Sequence, residues 1–457
     1  MDRVLISPID FILVPVYCFL LYLFSLYKKK KNPDNPLIQR YYVKGFMAKL
    51  AGSIFLGLLI YYYYGFGDTV SYYRESLIMR DLVSENKISF FSVFTEDYDY
   101  FRDTFDLQAG SAESGFMVEK ISFLLSYFSF SRFLLTGCLL TSLSYFGIFK
   151  LYETFVSLAP ERHKFIAFIV LLFPTVVIYG SGVFKDPITL SALGWLFHTV
   201  YQVIQRKKIT ISNILILLSS FWIILIIKSY IIAAFIVPLL FSMAMKTVKN
   251  IRYALIKIII FPTIIILITT AYFAFSAEID QMLGAFAVEK LAESIQGQQK
   301  GYAALEADAG SNFEIGEVNP TMAGIAKQMP IGMVATLYRP FLWEVKKPII
   351  AATALESIFI LFFTLYTIFK TGVLRFFKLI FTDSDIFLCI IFSLLFSGLV
   401  GISTPNFGTL ARYRIPVIPF YLFGILLILR KGMAEKLLKI SNGVSADENN
   451  INLGITN

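Results

Sequence analysis

Residues 209–246 read ITISNILILLSSFWIILIIKSYIIAAFIVPLLFSMAMK, and between Ile209 and Met245 the only charged residue is Lys228. A helix needs about 20 predominantly apolar residues to cross the hydrocarbon core of a bilayer. The stretch therefore holds two crossings, 210–227 and 229–246, with Lys228 between them and only Ser229 and Tyr230 as its polar company. The same character runs through the chain: 57% of its 457 residues are hydrophobic, mean hydropathy is +0.68, and 256–274 is nearly as free of charge. A water-soluble core of this size does not have that composition.

Working outward, eleven spans are expected, at about 9–27, 46–66, 133–151, 165–183, 187–205, 210–227, 229–246, 254–276, 349–369, 385–403 and 415–430. The fold class is an all-α polytopic integral membrane protein. The stretch 116–132 carries Glu119 and Lys120 and is too short to cross alongside the span that follows. A re-entrant or interfacial helix suits it better. Residues 1–440 read as a single transmembrane domain and 441–457 as a polar, disordered tail.

Lysine and arginine between spans set the orientation, because basic loops are retained in the cytoplasm. Lys28–Lys31 with Arg40 and Lys44, then Arg162 and Lys164, then 206–208, 246–257, 370–378 and 430–439 all fall on one side. The N-terminus is then outside and the C-terminus inside. The other side receives two long loops, 67–115 with ten Asp/Glu against four Lys/Arg, and 277–330 with eight against three. The net charge of +9 thus reads as topology, and no aromatic-interleaved basic patch points to nucleic acid. Cys18, Cys138 and Cys389 sit singly inside spans and read as core residues. Neither His163 nor His198 has a metal-ligand partner at helical spacing, so no metal or other cofactor is expected. The first apolar segment runs into Lys28–Lys31 as a stop-transfer pattern, with no cleavable signal peptide evident.

The polar groups suited to chemistry all fall on the outer face of this topology. Asp68, in the run Gly67-Asp68-Thr69-Val70-Ser71-Tyr72-Tyr73-Arg74, either caps an interfacial helix or acts as a carboxylate base beside aromatic rings such as Tyr72. Lys185 and Asp186 follow a Gly-rich turn, where they are either merely solvated or a fixed charge for a phosphate. Lys228 is a snorkelling turn residue or an ionisable group held for function. Arg339 and Glu344 either pair with each other or contribute to a site. Asn406, Arg412 and Arg414 lie between the last two spans, and the arginines oppose the positive-inside bias. They either grip phosphate oxygens with their planar forks or contact headgroups, and Arg414 borders hydrocarbon.

The Gly-Asp-Thr-x-x-Tyr-Tyr run, the Ser-Gly-x-x-Lys-Asp hairpin (181–186) and the Arg-Tyr-Arg-x-Pro-x-x-Pro segment (412–419) resemble polytopic bacterial envelope sugar-transfer enzymes. The nearest types are exopolysaccharide and O-antigen polymerases, and more distantly the C-type glycosyltransferases. The resemblance implies transfer or polymerisation at the outer face of the bacterial inner membrane, from a polyprenyl-phosphate-linked sugar to a saccharide acceptor. It makes Asp68 the acceptor-activating base, and Lys185, Arg339, Arg412 and Arg414 the clamp on the carrier phosphate, so that Asp68, Arg339 and Arg412 are the catalytic residues. Lys185, Asp186, Lys228, Glu344, Asn406, Arg414 and Tyr72 are the expected binding residues. Where C-type enzymes carry an acidic pair, Asp68 is followed by Thr69 and the nearest carboxylate is Glu75. That favours a polymerase-like site in which arginines offset leaving-group charge. The rival readings are a transporter or flippase for an anionic lipid-linked or small solute, and a structural component of an envelope assembly. The sequence leaves the oligomeric state open.

Overall fold

The computed structural model describes residues 5–31, 35–105, 107, 112–207, 209–249, 260, 262, 263, 265–267, 270, 290–304, 311–316, 319 and 321–434. Among these residues the regular elements are helical, apart from one isolated bridge between Asn312 and Asn406. Seven helices among them are long and apolar enough to cross a membrane: Asp10–Lys31, Pro36–Tyr64, Phe133–Leu158, Ile211–Lys249, Pro348–Thr371, Ser384–Ser403 and Val417–Ala434. The chain is an all-α, multi-pass membrane protein. The expected span 254–276 lies largely outside the described residues, and the tail 441–457 entirely so.

The chain forms two compact units. The first comprises Met1–Ile232, Gln281–Ala287 and Ala411–Pro416; the second comprises Ala233–Asp280, Val288–Leu410 and Val417–Asn457.

In the first unit, α1 (Asp10–Lys31) and α2 (Tyr42–Leu59, extended by a π-helical turn Ile60–Tyr64) are followed by α3 (Asp68–Ser84) and α4 (Ala112–Phe128). The acidic loop 67–115 is therefore not an open loop. Met79 and Leu82 of α3 pack with Phe116 and Phe123 of α4 around Val93 and Phe101, all buried. The helix expected near 116–132 is α4. Next come α5 (Phe133–Leu158) and α6 (Lys185–Gln205), which lie side by side in the same direction. A Cβ on Gly147 would lie 2.1 Å from the Ser191 carbonyl oxygen, and one on Gly194 2.1 Å from that of Gly147. Only glycine permits so close an approach of two backbones.

The span expected at 165–183 is not one helix. It comprises His163–Ala167, a π turn Phe168–Leu172, and Pro174–Tyr179, with Phe173 extended at φ −65°, ψ 126°. Pro174 has no N–H to donate and pushes the residue before it out of the helical region. The fully buried Lys49 of α2 donates to the carbonyls of Val176 (2.6 Å), which also accepts the Gly180 N–H, and Gly180 (2.8 Å), both at the end of the broken helix. Helix α6 is the span expected at 187–205, but it is not among the seven. Thr189 and Thr199, buried to 0% and 1% exposure, lower its hydropathy and face protein.

Helix α7 (Ile211–Lys249) has 39 residues, and its path breaks at Lys228, where φ is −148° and ψ 71°. Unbroken, it would run about 58 Å at 1.5 Å per residue, close to twice a hydrocarbon core. The two spans read from the sequence thus meet at the residue that separates them.

The second unit contains α8 (Leu291–Ala304), α9 (Met322–Tyr338), α10 (Pro348–Thr371), α11 (Val373–Thr382), α12 (Ser384–Ser403), α13 (Phe407–Tyr413, through Leu410) and α14 (Val417–Ala434). Helix α9 was not expected. It begins within the stretch 277–330 that was expected to be a loop and packs antiparallel to α12, where a Cβ on Gly401 would lie 2.1 Å from the Gly332 carbonyl oxygen and Thr336 Oγ1 donates to Ser397 O at 2.8 Å. Gly324, Pro330 and Gly332 are poor helix formers, so packing against α12 outweighs propensity here. At its far end α12 is tied by Lys246 to Asp385 (2.6 Å), by Lys431 to Asp383, and by Ser242 Oγ donating to Ser384 O at 2.8 Å.

Candidate functional site

Four separate segments of the first unit bring charge to one place. After the π turn, Gly65 and Gly67 adopt φ of +72° and +132°, and the Gly67 carbonyl accepts from Val70 and Ser71 N–H to start α3. Gly67 is therefore the capping residue. Asp68 occupies the first helical position, and its carboxylate is turned to another partner, so the capping reading of Asp68 is corrected.

The second segment is the hairpin before α6. Gly182, at φ +78°, donates its N–H to Thr141 Oγ1 at 2.8 Å, and Ser181 Oγ donates to Val177 O at 2.6 Å. This fixes the start of α6, where Lys185 and Asp186 stand in the first turn. The third segment is the break in α7 at Lys228. The fourth is the segment Ala411–Pro416, in which Arg412 stands in the last turn of the helix that ends at Tyr413.

Asp186 is the hub. Its Oδ1 accepts from Lys228 Nζ, and its Oδ2 lies 3.3 Å from Arg412 Nε. Arg412 Nη2 in turn donates to Asp68 Oδ2 at 2.8 Å. Asp186 and Lys228 are 1% and 5% exposed, whereas the Asp68 side chain is 46% exposed, so the chain of charges runs from a buried base to an open rim. Tyr413 lies beside both cations, its ring centre 4.7 Å from Lys228 Nζ and 5.1 Å from Arg412 Cζ. Lys185 Nζ donates to Ser114 Oγ at 2.8 Å, lies 5.7 Å from the centre of the buried Tyr72 ring, and feels the charges of Lys228, Asp68, Arg412 and Asp186. Lys228 is thus a chain-break residue, as one reading had it, but it is buried and paired and does not snorkel.

Three cations (Lys185, Lys228, Arg412) face two carboxylates (Asp68, Asp186), which leaves an excess of one positive charge. Arg412 Nε and Asp186 Oδ2 are both buried and neither makes a hydrogen bond. They face each other at 3.3 Å as an ion pair whose geometry falls short of a hydrogen bond.

Glu119, on α4, escaped the sequence reading as a site residue. It is fully buried, and neither carboxylate oxygen has a hydrogen bond. Burial, followed by the charge of Glu75, pushes its carboxyl up to about 8, with Lys185 acting in the opposite sense. The signal was present: Glu119 is three residues after Phe116 and four before Phe123, on the stripe that packs α4.

Arg414 is corrected as well. At 1% exposure it is enclosed by protein and does not border hydrocarbon. Such burial leaves it no direct access to a headgroup.

Arg339, Glu344 and Asn406 belong to the second unit and form their own constellation. Arg339 Nε donates to both Glu344 oxygens (3.0 and 3.2 Å), Nη2 reaches Oε1, and Phe341 N–H donates to Oε2 at 2.8 Å. The guanidinium also lies over the rings of Phe313 and Phe407, which stack at 4.2 Å. Asn406 donates to Ser311 Oγ (3.0 Å) and Asn312 Oδ1 (2.6 Å) and accepts from Thr409 N–H. These bonds tie 311–313 to 405–407.

Among the described residues no group of three or more His, Cys, Asp or Glu is arranged to hold a metal ion. No family model matches the chain, and searches of curated proteins and of solved structures give no match either.

Proposed function

We propose that the Asp68–Arg412–Asp186–Lys228 cluster, with Lys185, is the centre of a membrane glycosyltransferase or polysaccharide polymerase that uses polyprenyl-phosphate-linked sugar donors at the extracytoplasmic face. The observation that carries this reading is Arg412 joining Asp68 to the buried Asp186, beside one excess positive charge among these five groups. In the proposed step an acceptor hydroxyl attacks the anomeric carbon of the donor sugar. The new carbon–oxygen bond forms as the bond from that carbon to the carrier phosphate breaks, the phosphate leaves with the electron pair, and the hydroxyl proton passes to a carboxylate. Arg412 and Lys185 offset the leaving-group charge, while Asp68 at the exposed rim takes the proton. The Arg339–Glu344 pair then positions the 311–313 and 405–407 segments. The proposal includes an eleven-span topology with the N-terminus outside and the C-terminus inside, in a bacterial inner membrane.

A second reading, transport of an anionic lipid-linked or small solute, draws on one observation. The break at Lys228 interrupts an apolar helix beside a charged cluster, as discontinuous helices do in many transporters.

The test is purified full-length protein in liposomes with a radiolabelled polyprenyl-diphosphate sugar and an oligosaccharide acceptor. Arg412→Ala is expected to lower transfer about 10²–10³-fold, the range for losing one preorganised charge stabiliser. Arg412→Lys is also expected to lose most activity, because the planar fork is gone. Wild-type turnover in both variants would overturn the assignment. Movement of the labelled lipid between leaflets without transfer would establish transport instead.

A further inference from the structure

The end of α5 and α6 remote from Lys185 holds a second polar site. A cavity of about 470 Å³ opens there between the 35–39 turn, α5 and α6. Its α6 lining starts at His198, 13 residues on from Lys185, which at 1.5 Å each sets the cavity's near edge about 20 Å from the Lys185 end. It adjoins a smaller cavity of about 120 Å³ that adds Lys28.

Its hydrogen bonding can be followed group by group. The Thr154 hydroxyl donates to Lys150 O at 2.9 Å, so its contact with His198 Nδ1 at 2.8 Å requires the ring to be the donor. His198 Nε2 is then a bare acceptor, and the Gln202 amide nitrogen, at 3.3 Å, donates to it. That leaves Gln202 Oε1 buried without a hydrogen bond, and Gln39 Oε1 is in the same state. The cations are Lys150, held by Glu153 at 2.5 Å, and the exposed Arg206, which has no ion pair among the described residues.

The site therefore offers two carbonyl acceptors without hydrogen bonds next to two cations, of which Lys150 is offset by the Glu153 carboxylate in the same lining and Arg206 is not. A bare inorganic anion would satisfy the cations but repel the acceptors. A neutral sugar would satisfy the acceptors and leave the cations unused. We propose that this cavity binds a phosphate ester that also carries free hydroxyls, with the phosphate on Arg206, Lys150 shared between it and Glu153, and the hydroxyls donating to Gln202 and Gln39. Its volume matches a monosaccharide phosphate with room for water. The same chemistry is present in a soluble sugar phosphate and in the headgroup of an inositol phospholipid.

The experiment uses the full chain in phosphatidylcholine nanodiscs and follows its thermal midpoint and calorimetric binding. The probes are glucose 1-phosphate, with inorganic phosphate and glucose as controls, and, in a separate arm, discs containing phosphatidylinositol. Glucose 1-phosphate is expected to bind saturably and more tightly than either control, and Gln202→Leu and Arg206→Ala each to weaken it about tenfold or more. Arg206→Lys keeps the charge and should recover part of the binding, and the unliganded midpoint reports whether each variant folds. Stabilisation in phosphatidylinositol discs alone, with the same dependence on both side chains, would support the site and assign it to lipid. Absence of binding in both arms, or binding unchanged in both variants, would overturn it. These variants leave Asp68, Lys185, Lys228 and Arg412 intact, so this result is independent of the transfer assay.

Discussion

The burial of Asp186 between Lys228 and Arg412 can be tested by removing its members singly and together. Breaking a buried ion pair from one side costs about 3–5 kcal/mol, because the remaining charge stays desolvated and unpaired, whereas replacing both members with apolar groups is often close to neutral. The two sides differ here. Lys228→Met leaves Asp186 with Arg412 Nε at 3.3 Å, so its cost should fall at the low end, about 3 kcal/mol. Asp186→Leu leaves Lys228, 5% exposed, facing Arg412 with no carboxylate between them, so its cost should fall at the high end, about 5 kcal/mol. Arg412 keeps Asp68 at 2.8 Å, and the double variant should therefore lie within about 1–2 kcal/mol of wild type. The cycle then returns a coupling on the order of 6 kcal/mol, far outside additivity. The assay is reversible unfolding in mixed micelles, followed by tryptophan fluorescence. A cost for Asp186→Leu no larger than that for Lys228→Met, or a double variant as unstable as the sum of the singles, would refute the hub.

Glu119 gives a pH signature. Its carboxyl rises from 4.5 to about 8 on folding, so the folded chain holds a proton that the unfolded chain releases. Its contribution is complete below about 4.5 and is lost as pH rises through about 8. The total is on the order of 5 kcal/mol at most. Glu119→Gln should flatten that slope in midpoint-against-pH profiles, and an unchanged slope would place the titration elsewhere. For the proposed topology, Ser84→Cys and Lys300→Cys in a cysteine-free background should react with an impermeant maleimide on intact cells, while Lys44→Cys reacts only after lysis; the reverse pattern would invert the orientation. Gly147→Val should lower the yield and thermal midpoint of folded protein by several degrees, since its Cβ would lie 2.1 Å from a backbone oxygen. A wild-type midpoint would mean that α5 and α6 do not pack as described.

The sequence alone determined the class of solvent and most of the helices that meet it. Runs such as 209–227 admit no other reading, because about 20 apolar residues are what a bilayer selects and each helix satisfies its own backbone. The break at Lys228 was legible for the same reason: one charge in so long an apolar run marks an interruption. Asp68, Lys185, Asp186, Lys228 and Arg412 were also legible as candidates, since charge at the edge of a span needs an explanation. Their partners were not. Asp68 and Arg412 are 344 positions apart, and no local pattern encodes a contact formed only when the start of α3 and the last turn of α13 meet. Tertiary structure also decided which polar groups are buried. It turned Asp68 from a cap into a partner of Arg412, enclosed Arg414, placed Glu119 in the packed face of α4, and made a helix of 322–338 despite its glycines and proline. In each case the deciding quantity was the surroundings of a side chain, which depend on residues far away in sequence. Span length and hydropathy are properties of a segment, whereas burial and pairing are properties of the assembled bundle.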